Sequence, residues 1–195
     1  MKLSVELQCA SSVEWLDCVM QNFDAFLQDH ADCERKASNM AMSFVAKYPD
    51  RTDILPELID TALEELEHFR DVYSLLAKRG KTLNHVIDED PYIKQMLNFC
   101  RHGRDDRFLD RMLLASLFET RGAERFKLIW DRLDEGSEEK KLFHRLWASE
   151  AKHAHIFVKM ALGYFSEERV YSRLLAFASE EARIIQSLPI RAALH

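Results

Sequence analysis

Apolar residues recur three and four positions apart along almost the whole chain, the period of an amphipathic helix. The first helical region is predicted from about Ser12 to Lys47, with a break before its longer part, and Tyr48-Pro49-Asp50 ends it, because proline disfavours helix at the preceding residue. A second helix starts near Asp53, tolerates Pro56 in its first turn, and runs to Arg79, where Gly80 supplies a stop. After a linker from Lys81 to Asp90, a shorter helix spans about Pro91 to Arg101. The third long helix covers about Asp105 to Leu133. A fourth begins after Ser137, whose hydroxyl and the acids Glu138 and Glu139 suit a helix start, and runs to about Leu162. A last helix starts near Ser166 and fades before Pro189. Two helical pairs joined by a longer connection are the pattern of an all-α, four-helix bundle with one crossover and accessory helices. No stretch rich in Gly, Ser or Pro marks a boundary, so residues 1–195 are expected to form a single domain.

Composition narrows this picture. Five glycines and four prolines are too few for a fold built on many hairpins. The formal net charge of −6 argues against a generally basic nucleic-acid binder. The longest stretch without a charge, Ala37 to Ala46, is half of the roughly 20 apolar residues a membrane helix needs. Glu6, Glu14 and Asp17 interrupt the apolar run a signal peptide requires. Cys9, Cys18, Cys33 and Cys100 form no Cys-x-x-Cys pair, so free, mostly buried thiols in a reducing cytoplasm are expected.

The chemistry lies in two Glu-x-x-His motifs, Glu65 with His68 and Glu150 with His153. Residues three apart share a helix face, so each pair can point at one centre. Each motif has a glutamate 31 positions upstream, Glu34 and Glu119, and every member of one half is displaced by 85 from its counterpart. Glu124 is an alternative on the third helix but breaks this relation. Apolar stripes surround all four glutamates: Leu27, Ala31, Ala41 and Val45 for Glu34; Leu58, Ala62, Val72 and Leu76 for Glu65; Met112, Ala115, Ala123 and Phe126 for Glu119; Phe143, Leu146, Ala154 and Phe157 for Glu150. Buried carboxylates are costly unless cations compensate them. Four carboxylates and two imidazoles at this spacing are the donor set of a dinuclear iron or manganese site. Structural zinc would favour cysteine-rich ligation.

The residues around these positions are more specific still. Asp29 to Ala37 (Asp-His-Ala-Asp-Cys-Glu-Arg-Lys-Ala), Glu64 to Phe69, Phe118 to Phe126 and Ser149 to His153 resemble the tRNA hydroxylase family MiaE, and the resemblance runs from about Val13 to Ile185. Thr120, Gly122 and Ala123 depart from the usual family pattern of Ala, Ser and Cys. The resemblance implies a ferritin-like bundle with two carboxylate-bridged iron ions, liganded by Glu34, Glu65, His68, Glu119, Glu150 and His153. It also implies hydroxylation, with dioxygen as co-substrate, of the isopentenyl group of 2-methylthio-N(6)-isopentenyladenosine in the tRNA anticodon loop. No Gly-rich dinucleotide fingerprint or cysteine cluster is present, so an external electron donor or reductase is expected.

Two basic clusters are candidates for tRNA phosphates: Arg101, His102, Arg104, Arg107 and Arg111, and Lys78, Arg79 and Lys81. Arg35, Lys36, Arg121 and Arg125 lie near ligand positions and join them, although Asp105, Asp106 and Asp110 dilute the first cluster. His30, four before Glu34, is either a support for that ligand or a packed core histidine. Met40, Met42, Phe44, Phe118 and Trp147 are candidates for a prenyl pocket or for core packing. The competing readings are another ferritin-like di-iron oxidase or hydroxylase, or an iron- or peroxide-handling protein.

Overall fold

The computed structural model describes residues 5–85 and 89–195. Among them are seven helices and no strand: α1 (Val13–Gln21), α2 (Phe23–Lys47), α3 (Leu55–Lys78), α4 (Pro91–Asn98), α5 (Arg104–Arg132), α6 (Glu138–Leu162) and α7 (Glu167–Ser187). The expected break in the first helical region falls at Asn22, which has φ −125° and ψ 43° and donates its side-chain amide to the Cys18 carbonyl at 2.9 Å. The linker predicted from Lys81 lies partly outside the described residues.

The described chain forms two compact units. One comprises residues 17–85 and 191–194. Its centre is the helical pair α2 and α3, which buries Phe26, Leu27, Ala31, Ala41 and Phe44 from one helix and Leu58, Ala62, Val72 and Leu76 from the other. Pro56 sits in the first turn of α3, where its missing N–H leaves no helical bond unmade. Gly80 ends α3 at φ +71°, a conformation glycine adopts without a Cβ penalty. The C-terminal tail joins this unit when the Leu194 N–H donates to Asp29 Oδ2 at 2.7 Å.

The other unit comprises residues 5–16 and 89–190 with His195. Here α5 packs on α6 and α7, and α4 packs on α7. Phe108, Phe126, Phe143, Phe157 and Phe177 are fully buried. Each contributes roughly 1.5–3 kcal/mol of apolar burial. Side chains cap the helix starts: Asp90 accepts from Tyr92 and Ile93 backbone N–H groups, Ser137 from Lys140 and Ser166 from Arg169. No helix among the described residues is long and apolar enough to cross a membrane. All four cysteines are free, but each is half-buried rather than buried.

Candidate metal centre

Each unit holds three of the six residues singled out by their spacing. In the first, α2 carries Glu34, and α3 carries Glu65 and His68 one turn apart. One ligand atom from each lies within 4.8 Å of the others. Glu34 and Glu65 are 3% and 1% exposed, so neither carboxylate is dissolved in water. His68 Nδ1 stands 3.3 Å from Glu65 Oε2 and 3.7 Å from Glu34 Oε2. In the second unit, α5 carries Glu119, and α6 carries Glu150 and His153. Their ligand atoms also lie within 4.8 Å of one another, and all three residues are buried. The apolar neighbours expected around these acids are buried too, except Val45, which is half-buried.

A hydroxyl pins each helical pair beside its acids. Ser38 Oγ donates to the Ala62 carbonyl at 2.8 Å, one turn from both Glu34 and Glu65. Ser116 Oγ donates to the Ala154 carbonyl at 2.7 Å, one turn from Glu119 and Glu150. Sequence reasoning missed both serines, because an i+4 or i−3 serine in a helix carries no signal until its partner helix is known.

Burial alone would keep Glu34 protonated. The adjacent His30 and His68 outweigh it and hold the carboxyl well below the usual range. Burial likewise disfavours a charged His68, but its hydrogen bonds to Glu34 and Glu65 outweigh burial and push it up to about 10. Positive charge on His68 is thereby favoured beside the Glu34 and Glu65 carboxyl groups. A metal ion could take the same role. Oxygen donors with one imidazole per triad suit iron or manganese, so the residues present fit an iron site.

Other candidates sort cleanly. Glu124 does not join Glu119. Its carboxylate accepts from Arg121 Nη1 at 3.0 Å and from the Ser11 N–H and hydroxyl, each at 2.7 Å. Arg121 and Arg125 are 0% and 5% exposed and are not phosphate contacts. Arg121 is bound to Glu181, and Arg125 donates to Ser11 Oγ at 3.0 Å and lies 4.4 Å from the centre of the Trp15 ring. Burial, with the neighbouring Arg121 charge, pulls Arg125 down to about 10. Arg35 and Lys36 both pair with Asp32. Arg101 pairs with Asp106 and Asp110, both at 2.8 Å, which narrows the first basic cluster. Of the apolar candidates, Phe44 is buried and Met42 is 45% exposed.

A family model described as tRNA-(MS[2]IO[6]A)-hydroxylase (MiaE) matches residues 2–195. The chain belongs to the MiaE family. A Pseudomonas putida relative, named tRNA 2-(methylsulfanyl)-N(6)-isopentenyladenosine(37) hydroxylase, is 29% identical over 181 residues, covering 93% of this chain and 87% of the relative. A Salmonella typhimurium protein of the same name is 24% identical over 231 residues, covering 93% and 84%. Among solved structures, a Synechococcus protein described as having aldehyde deformylating oxygenase activity matches with a TM-score of 0.90 and 29% identity, over 97% of this chain and 94% of that one. Membership in MiaE and this likeness establish the all-α, ferritin-like fold, a bundle with accessory helices, in an enzyme of a tRNA hydroxylase family.

Proposed function

We propose that this chain inserts one oxygen atom into the isopentenyl group of 2-methylthio-N(6)-isopentenyladenosine in the anticodon loop of tRNA. Glu34, Glu65, His68, Glu119, Glu150 and His153 would hold two irons as its cofactor. The observation that carries this reading is the pair of buried carboxylate–imidazole triads in a MiaE family member. The 85-residue displacement between the triads supports giving both the same role, in a chain read as a single functional domain.

Iron bound there would supply the redox chemistry with dioxygen that amino-acid side chains lack. The protein's part is to orient and insulate. The four carboxylates neutralise the metal charge, and the buried aliphatic and aromatic stripes around them limit water. The second oxygen atom leaves as water, and the two electrons this requires come from an external donor. Cytoplasmic tRNA is the substrate pool.

The test is direct. Reduced, iron-loaded protein is mixed with prenylated, methylthiolated tRNA and dioxygen, and the nucleoside is analysed by mass spectrometry. A gain of one oxygen supports the proposal. Two irons per chain with no gain would instead favour another di-iron oxidase, and failure to bind iron would remove the metal centre itself.

A further inference from the structure

One face of α3 is apolar and turned to solvent. Ile59, Leu63, Leu66 and Tyr73 are 41%, 57%, 50% and 44% exposed, although all four are large hydrophobic side chains. They stand four, three and seven residues apart, the spacing of one helix face, and Arg70 fills the turn between Leu66 and Tyr73. The Phe69 ring extends the face, stacked on Tyr73 at 6.3 Å between centroids. A continuous row of apolar residues on the solvent side of a helix marks a contact surface. An acid follows each of four positions along the row: Asp60 after Ile59, Glu64 after Leu63, Glu67 after Leu66 and Asp71 after Arg70. One residue is a rotation of about 100°, so these acids share one long edge of the row. Arg70 is the sole Lys or Arg between Leu55 and Ala77, and it stands 3.6 Å from Glu67.

The acidic edge decides what fits. Partners that present phosphates, whether tRNA or an anionic membrane, meet repulsion there. A second copy of this chain brings the same acids rather than complementary cations, so like charges oppose each other. What fits is a protein with an apolar patch bordered by lysine or arginine. Its task follows from the reaction. Hydroxylation joins a substrate C–H bond, dioxygen, two electrons and two protons to give an alcohol and one water. The chain has no dinucleotide fingerprint or cysteine cluster to hold an electron carrier of its own. The same helix carries Glu65 and His68, and Leu66 and Phe69 directly follow them.

We propose that this face of α3 docks the electron donor, a redox protein that lays an apolar patch on Ile59, Leu63, Leu66 and Tyr73 and sets a basic rim against the acidic edge. The inference rests on the hydroxylase reading above. Docking there places the donor against the helix that bears two of the proposed iron ligands.

The experiment uses the iron-loaded, full-length chain and two electron sources. One is ferredoxin–NADP reductase with NADPH, chosen as a flavoprotein whose docking face is rich in lysine and arginine. The other is dithionite, which needs no docking surface and reduces the chain before dioxygen and prenylated, methylthiolated tRNA are added. Calorimetry measures binding of the reductase itself. Leu63→Ser with Leu66→Ser is expected to weaken reductase binding and raise its KM roughly tenfold, as loss of interface anchors does. Dithionite-driven oxygen insertion and tRNA affinity stay at wild-type values. Asp60→Lys with Glu67→Lys, which keeps the apolar row, gives a similar loss and flattens the dependence of binding on salt. Leu175→Ser, 61% exposed but on α7, changes none of these readouts. The proposal is overturned by wild-type reductase affinity in either double variant, by equal loss with both electron sources, or by a reductase that cannot drive a wild-type chain that dithionite drives. It is also overturned by weakened tRNA affinity in Leu63→Ser with Leu66→Ser, or by a wild-type dimer in sedimentation that this variant takes apart, which seats a second copy on α3. Failure of oxygen insertion with both sources in wild type is a separate result: it removes the hydroxylase reading, and this proposal with it.

Discussion

Arg121 donates two hydrogen bonds to Glu181, from Nε to Oε1 at 2.7 Å and from Nη2 to Oε2 at 3.0 Å, with both side chains wholly buried. The same guanidinium donates to the Cys9 carbonyl at 2.6 Å, and the Tyr92 hydroxyl donates to Glu181 Oε1 at 3.4 Å. One ion pair therefore ties the N-terminal segment and α4 to α5 and α7. Removing Arg121 leaves the Glu181 carboxylate buried without its paired charge. Arg121→Ala is expected to lose about 3–5 kcal/mol of stability. The double variant Arg121→Met with Glu181→Leu recovers much of that loss. Urea unfolding of the two variants checks both outcomes, and a loss below about 1 kcal/mol for Arg121→Ala would contradict the argument.

A second buried acid sets an acid limit. Asp110 is wholly buried and accepts from Arg173 Nε and Nη2 and from the Arg101 backbone and side chain. Burial opposes its ionisation, but these donors outweigh burial and hold its carboxyl below the ordinary value of 3.8. A depressed folded value means the stabilisation is complete above the unfolded value and is lost as pH falls through the folded one. Wild type should therefore lose stability on acidification below about pH 4, and Asp110→Asn should lose less across that window from a lower starting point. Unfolding free energies measured between neutral pH and pH 3 test the difference in slope.

The helices were legible in the sequence because each start or stop has a local cause, such as Pro49, Pro56, Gly80 or Ser137. The break at Asn22 was harder to place, since no proline or glycine marks it and an asparagine side chain competes for the backbone instead. The six acids and imidazoles were legible because they repeat at one displacement. The triad partners of Glu65 and Glu150 follow from helical periodicity, which is a one-dimensional fact. What stayed hidden depends on three-dimensional neighbours. Arg121 and Arg125 read as cations beside a ligand, but their partners Glu181, Ser11 and Trp15 lie far away in sequence. His30 could be read two ways until its distance to Glu34 was known.

Gly122 sits in the middle of α5, three residues after Glu119, where glycine weakens a helix. A Cβ added there would meet Glu150 Cγ at 3.8 Å and Phe126 at 4.0 Å, both ordinary contacts. Gly122→Ala should therefore raise stability by about 0.5–1 kcal/mol without disturbing the ligands. Thermal unfolding together with metal analysis checks the two halves of that statement.

The choice between Glu119 and Glu124 gives a sharper contrast. Glu119 shares a cluster with Glu150 and His153, and Glu124 is committed to Arg121 and Ser11. Glu119→Ala should abolish full iron loading and turnover. Glu124→Gln should keep its iron while lowering stability, because Arg121 loses one of its acidic partners. Metal content per chain, measured beside the unfolding midpoint, separates the two outcomes; an iron-replete, active Glu119→Ala enzyme would remove Glu119 from the ligand set.

The remaining cations make a prediction about RNA. Arg107 and Lys78 are exposed, and Arg101 is engaged by Asp106 and Asp110. Lys127 is held by both oxygens of Asp131 and lies over the Trp130 ring at 4.7 Å. A cation that touches a phosphate releases counterions, so its removal lowers the slope of log affinity against log salt by roughly 0.7–0.9. Arg107→Ala and Lys78→Ala are each expected to lower the slope for tRNA by that amount, whereas Lys127→Ala leaves it unchanged. Binding isotherms at several salt concentrations read the slopes, and identical slopes for all three variants would place the phosphate contacts elsewhere on the surface.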